Sequence, residues 1–497
     1  FAEGKHIVFS LVDDGGFEYE VFGAKGFGNG SQTPNLNAFA KSGTVFTEAY
    51  TAVSSCSPSR SAILSGQPSH QNGMFGLHNM EATFNSHLYL RSLTHVLREN
   101  GYYTGAIGKY HLGLDVSPTN VPWSDVTYRQ YPFDYGVDIP ECCSATNACL
   151  DKVPYNEMSR NITRMRDCFR SILEGAKAAN APSFSYIAWG DAHRCGSGVD
   201  PGPDGAFCEL YGNGMNGQPK IPDWNPVYYD PDQVQVPWHI PDSPEGRNET
   251  AKQWTAINRI DQGFGLMMQV LREFGIYNNT LIMHFSDNGI PEVGAKTQYY
   301  RYGMGEPLFV RSPTQSSHGI FSDAFVSSLD FVPTILDYAG IALPKTQLDG
   351  SALTYTGSSI LPILDQPHAP PGSFDHVFLS HNLHGLSHWY PSRVFRNATW
   401  LFAYNAAAPG PMPILDDVFH SATFNAMLEA EKNGQPTGWY RNLTEYRWDR
   451  PAFELYHIPS DPKEIHNLAY DPAYAHVLSE LANITVTWCN ITFDPWL

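Results

Sequence analysis

A mostly apolar segment that stops at two aspartates constrains the fold of this chain most. Residues 6–12 (HIVFSLV) form a nearly continuous apolar run, and Asp13, Asp14 and two glycines follow at once. A short apolar run with a sharp acidic end predicts a strand buried inside a parallel sheet. Ligands of such sheets bind beyond the carboxyl ends of the strands. We therefore expect the acidic turn to lie at a functional edge.

Further strand and helix patterns alternate along the first two thirds of the chain. The predicted strands are Tyr103 to Ile107, Phe184 to Trp189 and Leu281 to Phe285, and the predicted helices are Leu93 to Asn100 and Gln253 to Phe274. Thr33 and Pro34 predict the cap and first turn of an earlier helix. This alternation predicts an α/β sandwich whose strand ends bring distant polar residues together.

The pattern changes after Ile335, which predicts a second, smaller domain. A stretch rich in Pro, Gly and Ser runs from Leu343 to Ser373. Shorter strand-like runs and a final helical pattern follow, at Val377 to Ser380, Thr399 to Tyr404 and Tyr474 to Val486. We assign residues 1–345 to an α/β catalytic domain, 346–372 to a linker and 373–497 to a C-terminal α+β domain with an antiparallel sheet.

Charge and hydropathy exclude several classes of partner. The formal net charge of -19 would repel nucleic acid phosphates and anionic lipid, so we expect neither nucleic acid nor membrane as a partner. No apolar run approaches the roughly 20 residues that span a bilayer, and no signal segment follows Phe1. We expect a soluble, processed protein in which any anionic substrate meets a locally positive pocket.

Cysteines and glycosylation sequons favour the secretory pathway. Eight cysteines are unusual for a cytosolic enzyme, so we expect a lysosomal or secreted protein. Asn-x-Ser/Thr sequons, predicted to carry glycans, occur at Asn29, Asn161, Asn248, Asn278, Asn397, Asn442, Asn483 and Asn490. Cys195 and Cys208 bracket a Gly-rich loop and predict a local disulfide. The pairing of Cys142, Cys143, Cys149, Cys168 and Cys489 is left open, as is a homodimer.

The segment from Cys56 to Arg60 carries the strongest chemical signal. It has the sequence Cys-Ser-Pro-Ser-Arg, and the residues after it can begin a helix. A cysteine at a helix N-terminus beside an arginine is expected to have a stabilised thiolate, although most cysteines are buried or disulfide-bonded. The pentapeptide matches the C-x-P-x-R pattern and resembles the formylglycine-dependent sulfatases. In that family the pattern is recognised for oxidation of the cysteine to formylglycine.

The same resemblance implies one calcium ion per chain. Asp13 and Asp14 match the first pair of metal ligands in the family, and Asp287 and Asn288 match the second pair, with the modified Cys56 completing the site. An oxygen-only set suits calcium or magnesium rather than zinc, and calcium is the ion we predict. Either acidic segment alone would more often be an ordinary turn. Their occurrence at two strand ends, with the cysteine motif between them, favours metal binding.

Four further polar residues complete the set that the resemblance implies. Lys109 and His111 lie in a G-K-x-H-x-G segment after a strand, where spacing by two on an extended segment points both to one face. His193 follows another strand, and Lys296 occupies the place of a sulfate-binding cation. In the family mechanism a hydrated formylglycine, a gem-diol, attacks sulfur while Lys109, Lys296 and Arg60 neutralise charge. His193 then protonates the leaving atom, and His111 removes a proton to release sulfate.

Other segments resemble those sulfatases that remove the N-sulfate from non-reducing-end glucosamine in heparan sulfate. They are residues 54–60, 70–74, 193–196, 221–224, 286–291 and 434–440. The resemblance implies an alkaline-phosphatase-like sandwich with a large mixed, mostly parallel sheet, a sulfated saccharide substrate and a formylglycine-generating enzyme as maturation partner. We expect His384, His388 and Arg393 to line the sugar pocket.

Three alternatives stay open at this point. One is an O-sulfatase that acts on another sulfated sugar or an aryl sulfate. The second is a phosphonate or phosphodiester hydrolase of the same superfamily. The third is a glycan-binding relative without activity, although such a protein would not need the complete catalytic set.

Overall fold

The computed structural model describes residues 1–497 except residues 2, 26–29, 79–81, 83, 85–89, 113–158, 196–205, 386, 387 and 497. The strands are β1 His6–Val12, β2 Thr44–Phe46, β3 Ala49–Tyr50, β4 Tyr103–Gly108, β5 Ser183–Ala188, β6 Thr280–Ser286, β7 Leu308–Arg311, β8 Ile320–Ser322, β9 Val326–Ser327, β10 His376–Leu383, β11 Trp389–Asn397, β12 Trp400–Asn405 and β13 Phe453–His457. The α-helices are Pro34–Ala40, Cys56–Ser65, Ser69–Asn72, Leu93–Glu99, Ile162–Ala178, Pro244–Glu273, Arg301–Met304, Phe331–Ala339, Asp416–Phe419, Ala422–Lys432, Leu443–Trp448 and Ala475–Ile491.

Strand β1 lies inside a seven-stranded sheet, between two parallel neighbours, as its apolar sequence predicts. The strand order is β4-β5-β1-β6-β7-β2-β8. β1 pairs in parallel with β5 on one side and β6 on the other, and all its residues are buried. β7 runs antiparallel to both of its neighbours. The sheet is therefore mixed and mostly parallel, and the predicted fold class is confirmed.

Helices cover both faces of this sheet because the residues of β1 alternate between two apolar clusters. Val8 and Val12 pack in a cluster that includes Phe264 of the long helix Pro244–Glu273. Ile7, Phe9 and Leu11 pack in a second cluster with Phe331 and Ile335 of the helix Phe331–Ala339. A strand that is buried on both faces needs apolar residues at every position, which explains the nearly continuous run.

Two helices differ from the sequence prediction for identifiable reasons. The helix predicted from Gln253 begins at Pro244, because Ser243 caps it by accepting a hydrogen bond from the backbone N–H of Gly246 and Pro244 occupies the first turn. Its first turns are polar and lack the apolar period that marks a helix. The helix Ile162–Ala178 was not predicted, although Asn161 caps it in the same way.

The later part of the chain forms a four-stranded antiparallel sheet in the order β10-β11-β12-β13. The final helix packs on it, with Leu481 in a cluster with Phe395, Phe402 and Leu455. The other face of the sheet shares a cluster with the first part of the chain, where Val377 and Leu379 pack with Tyr50 and Tyr299. The predicted domain limits themselves stay a prediction.

Among the described cysteines, Cys195 and Cys208 form a disulfide bond, and Cys168 is also disulfide-bonded. Cys56 and Cys489 are buried thiols. Cys142, Cys143 and Cys149 lie outside the described residues, as does Asn29. The asparagines of the sequons at 248, 278, 442, 483 and 490 are exposed, and those at 161 and 397 are half-buried. None of the helices in the described ranges is long and apolar enough to cross a membrane.

Candidate active site

The carboxyl ends of β1 and β6 bring the two predicted acidic segments together. Asp13 and Asp14 follow β1, and Asp287 and Asn288 follow β6, its parallel neighbour. All four side chains are fully buried. The backbone N–H of Asp14 donates to Oδ1 of Asp287 at 3.1 Å, and Nδ2 of Asn288 donates to Oδ1 of Asp14 at 2.7 Å. Residues more than 270 positions apart therefore form one acidic cluster.

Arg60 connects this cluster to the helix that begins at Cys56. Its Nη2 lies 3.1 Å from Oδ1 of Asp13 and 2.6 Å from Oδ2 of Asp287, and all three side chains are fully buried. Arg60 and Cys56 lie in the first turns of the helix Cys56–Ser65. The buried ion pairs with Asp13 and Asp287 therefore hold this helix end, and Cys56 with it, against the acidic cluster.

Two lysines lie beside the acidic cluster. Nζ of Lys109 is 2.5 Å from Oδ2 of Asp13 and 3.8 Å from Sγ of Cys56. Nζ of Lys296 is 2.8 Å from Oδ2 of Asp14. Sγ of Cys56 is 3.9 Å from Oδ1 of Asp14. Cations and carboxylates thus lie around the sulfur of Cys56.

His193 is held by a network behind it. Asp191, on the same turn, accepts hydrogen bonds from Arg160 and Arg259, and Arg160 also donates to the backbone carbonyl of His193. Nδ1 of His193 lies 2.7 Å from the carbonyl oxygen of Arg194, while Nε2 lies 3.7 Å from Oδ2 of Asp14. Burial, followed by Lys296 and Lys109, lowers the pKa of His193 to about 3. Because Nδ1 is bound to the Arg194 carbonyl and Nε2 lies near Asp14, the side of the ring that carries Nε2 faces the acidic cluster.

His111 is half-buried beside the same groups, but the expected reason for its position was wrong. β4 ends at Gly108, and both Gly108 and His111 have positive φ, so Lys109 and His111 do not lie on one extended strand. The ring of His111 packs edge-to-face on that of His78, with centroids 4.5 Å apart. Burial, followed by the Lys109 charge, lowers the pKa of His111 well below its usual value. A turn rather than strand alternation positions this imidazole.

The expected stabilised thiolate at Cys56 is contradicted. Burial raises the pKa of the Cys56 thiol well above its ordinary value, and this outweighs the opposing effect of Lys109 and Lys296. Asp287 and Asp13 raise it further. The helix N-terminus does not compensate, because the residue is sealed from water and faces carboxylates. An unmodified Cys56 is therefore a neutral thiol and a poor nucleophile.

The donor set around Cys56 fits a hard divalent cation. Ligand atoms of Asp14, Cys56 and His193 lie within 4.8 Å of one another, and those of Asp13, Cys56 and Asp287 do so as well. Oδ1 of Asn288 is buried and has no hydrogen-bond partner among the residues that the structure describes. Burial and neighbouring carboxylates raise the pKa of Asp14 to about 7, even with Lys296 beside it. A cation would satisfy the amide oxygen and favour ionised Asp14.

The three predicted sugar-pocket residues have different surroundings. Nδ1 of His384 lies 2.8 Å from Oγ of Ser55, next to Cys56, so this residue is brought to the site. Nε2 of His388 lies 2.8 Å from the carbonyl oxygen of Ile414. Arg393 is buried and pairs with Asp494, with Nη2 2.8 Å from Oδ1. Its Nη1 donates to two backbone carbonyls, so this guanidinium is engaged in structural contacts.

Asp417 was not predicted from the sequence. Its Oδ2 lies 2.8 Å from Nζ of Lys296 and 3.4 Å from Nε2 of His193. It belongs to the short helix Asp416–Phe419, which has no strand end or motif to mark it. Two adjacent aspartates at a helix start are common, because negative side chains favour the positive end of the helix dipole. They therefore do not indicate a functional site. His78, the partner of the His111 ring, was missed as well.

Residues 5–341 match the family model named Sulfatase. The chain is 39% identical to N-sulphoglucosamine sulphohydrolase of Homo sapiens over 498 residues, covering 100% of this chain and 92% of that protein. The chain belongs to the sulfatase family. It is therefore a hydrolase.

Two other similarities agree with this assignment. Arylsulfatase A of Homo sapiens is 26% identical over 367 residues, which cover 71% of this chain and 68% of that protein. A solved structure described as being in complex with its substrate D-glucosamine-2-N,6-O-disulfate has a TM-score of 0.65 and 18% identity, covering 99% of each chain. At that identity the structural similarity supports the fold alone.

Proposed function

We propose that this sulfatase hydrolyses the N-sulfate of glucosamine at the non-reducing end of heparan-sulfate-like saccharides. The observation that carries the proposal is the 39% identity, over the whole chain, to human N-sulphoglucosamine sulphohydrolase. The convergence of Lys109, Lys296 and His193 around Cys56 supports it, because a sulfate needs cations and its leaving atom needs a proton.

Residue 56 acts after oxidation to formylglycine by a formylglycine-generating enzyme. The thiol is a poor nucleophile in this environment because burial keeps it protonated. The C-x-P-x-R pattern supplies the recognition signal. Formylglycine, once formed and hydrated, supplies an oxygen nucleophile.

Asp13, Asp14, Asp287, Asn288 and the modified residue 56 would hold one calcium ion. The orphaned Oδ1 of Asn288 and the raised pKa of Asp14 support this assignment. The bound ion would supply positive charge that favours deprotonation of the nucleophile and offsets the sulfate charge.

The lysines, Arg60 and the histidines would then neutralise charge and transfer protons. Lys109 and Lys296 neutralise the sulfate oxygens, and Arg60 fixes the carboxylates of Asp13 and Asp287. Nδ1 of His193 donates to the carbonyl of Arg194, so its Nε2 faces the leaving atom. A bound sulfate would offset the two lysines that lower the pKa of His193, which allows Nε2 to carry the proton. His111 would accept a proton when sulfate is released.

The sequons and the disulfide bonds support a lysosomal or secreted glycoprotein. The test of the proposed function is a substrate panel. Sulfate release is measured from N-sulfated glucosamine, glucosamine 6-O-sulfate, an aryl sulfate and a matched phosphate ester, with and without a chelator. We expect the highest kcat/KM on the N-sulfate. A preference for the O-sulfates or for the phosphate ester would overturn the proposal.

A further inference from the structure

Asp417 is a partly exposed carboxylate at the edge of the site. Nζ of Lys296 is 2.8 Å from a carboxylate oxygen on each side, that of Asp14 and that of Asp417. The Asp14 side chain is 0% exposed, whereas that of Asp417 is 24% exposed and that of His193 is 20% exposed. Asp417 and His193 therefore face the direction from which a substrate enters.

A further carboxylate at this place opposes sulfate binding. In the described part of the site, Lys109, Lys296 and Arg60 already face three carboxylates behind them. Burial alone would raise the pKa of Asp417, but Lys296 and His193 outweigh burial and hold it below its ordinary value. Asp417 is thus an anion, and it repels the substrate anion unless the substrate also offers a hydrogen-bond donor.

Holding Lys296 does not explain this carboxylate. Lys296 is already paired with the fully buried Asp14 at the same distance. The short helix Asp416–Phe419 brings Asp417 in from the later part of the chain, and Oδ2 also lies 3.4 Å from Nε2 of His193. Since Nε2 is the atom that faces the leaving atom, Asp417 lies beside the leaving atom as well.

We propose that Asp417 accepts a hydrogen bond from the N–H of a sulfamate and thereby selects N-sulfates over O-sulfates. The leaving nitrogen of an N-sulfate carries a hydrogen and becomes an amine after the S–N bond breaks and a proton is added. The bridging oxygen of an O-sulfate carries only lone pairs, so it would leave the carboxylate without a donor and repel it. This inference rests on the proposed function, and it explains the extra anion at an anion site.

The test compares Asp417→Asn with wild type on two substrates, N-sulfated glucosamine and glucosamine 6-O-sulfate. Both contain the same sugar ring, but the second carries its sulfate on oxygen. A hydrogen bond to a charged group is worth about 10- to 100-fold, so we expect kcat/KM on the N-sulfate to fall by about that factor. The fall on the O-sulfate should be at least about tenfold smaller. If O-sulfate turnover is below detection, the inhibition constant of that sugar gives the comparison.

The matched control is Asp416→Asn, which removes the same charge from the exposed neighbour on the same helix and should leave the ratio of the two substrates unchanged. Thermal melting confirms folding, and Asp417→Ser replaces the asparagine variant if that variant does not fold. Equal losses on both substrates, or no loss, would overturn the inference and leave the proposed function standing. Wild-type turnover of O-sulfates without turnover of the N-sulfate would instead overturn the proposed function.

Discussion

The ammonium of Lys109 and the thiol of Cys56 lie 3.8 Å apart, although 53 residues separate them in the sequence. Both residues are buried, at 5% and 1% exposed. A buried cation beside residue 56 stabilises negative charge that develops on this residue. It also stabilises negative charge on a group that this residue attacks. We therefore expect activity to depend on residue 56.

Replacement of this residue tests that dependence. We expect Cys56→Ala to abolish sulfate release while thermal melting stays near that of wild type, because only one small side-chain atom is lost. Cys489→Ala is the control, since Cys489 is the other buried thiol in the described residues. Mass analysis of the peptide that contains residue 56 should show formylglycine in wild type. Full activity of Cys56→Ala would rule out the formylglycine mechanism.

Calcium should stabilise the folded protein, because five ligand residues are brought together only after folding. At 100 times its dissociation constant, an ion that binds only the native state adds about 2.7 kcal/mol to the free energy of unfolding. We expect the melting temperature to fall with a chelator and to recover with calcium. The calcium-dependent shift should shrink in Asn288→Ala and persist in the exposed control Asn225→Ala. Identical shifts in all three proteins would refute the assigned site.

The buried pair of Arg393 and Asp494 should contribute stability rather than sugar affinity. Removal of one partner from a buried ion pair typically costs about 3–5 kcal/mol, so Arg393→Ala should lower the unfolding free energy by about that amount. In urea unfolding, the double variant with Asp494→Ala should lose less than the sum of the single losses. A raised KM with unchanged stability in Arg393→Ala would contradict this prediction and support a role for Arg393 in sugar binding.

A buried histidine should make the protein less stable in acid. Burial lowers the pKa of His239 to about 3, and its ring stacks on Tyr302 with centroids 3.7 Å apart. The unfolded chain takes up a proton near pH 6.5, and the folded chain does so only near pH 3, so stability is lost as the pH falls between these values. At pH 5 this loss is about 2 kcal/mol per such histidine.

The variant His239→Phe removes this contribution. We expect the drop in unfolding free energy from pH 7 to pH 5 to become smaller by about 2 kcal/mol. The exposed His476→Gln serves as control and should retain the wild-type drop. A drop of equal size in His239→Phe and wild type would show that His239 does not set this dependence.

The sequence predicted those parts of the structure that depend on local pattern. β1 and β6 are mostly apolar because they are buried on both faces, and their acidic ends are therefore visible in the sequence. Cys56 was placed at a helix start, and the helix begins there. The thiolate prediction failed because burial and nearby carboxylates, which depend on the whole fold, outweigh the local helix end.

Asp417 and Arg393 show why the rest was not predictable. Asp417 reaches the site only because a short helix from the later part of the chain contacts Lys296, 121 residues away in sequence. Arg393 is a residue type that often binds sugars, but Asp494, 101 residues later, pairs with its guanidinium. Neither partner leaves a local signal, since pairing across such distances is decided by the tertiary fold.

The complete burial of the helix end at residue 56 has a consequence for the order of events in the cell. An external enzyme cannot reach this side chain once β1, β6 and the second sheet have closed around it. The proposed oxidation of residue 56 would then have to precede folding and act on the emerging, still extended polypeptide. Protein that folds first should stay permanently inactive, even when it is later supplied with the oxidising enzyme.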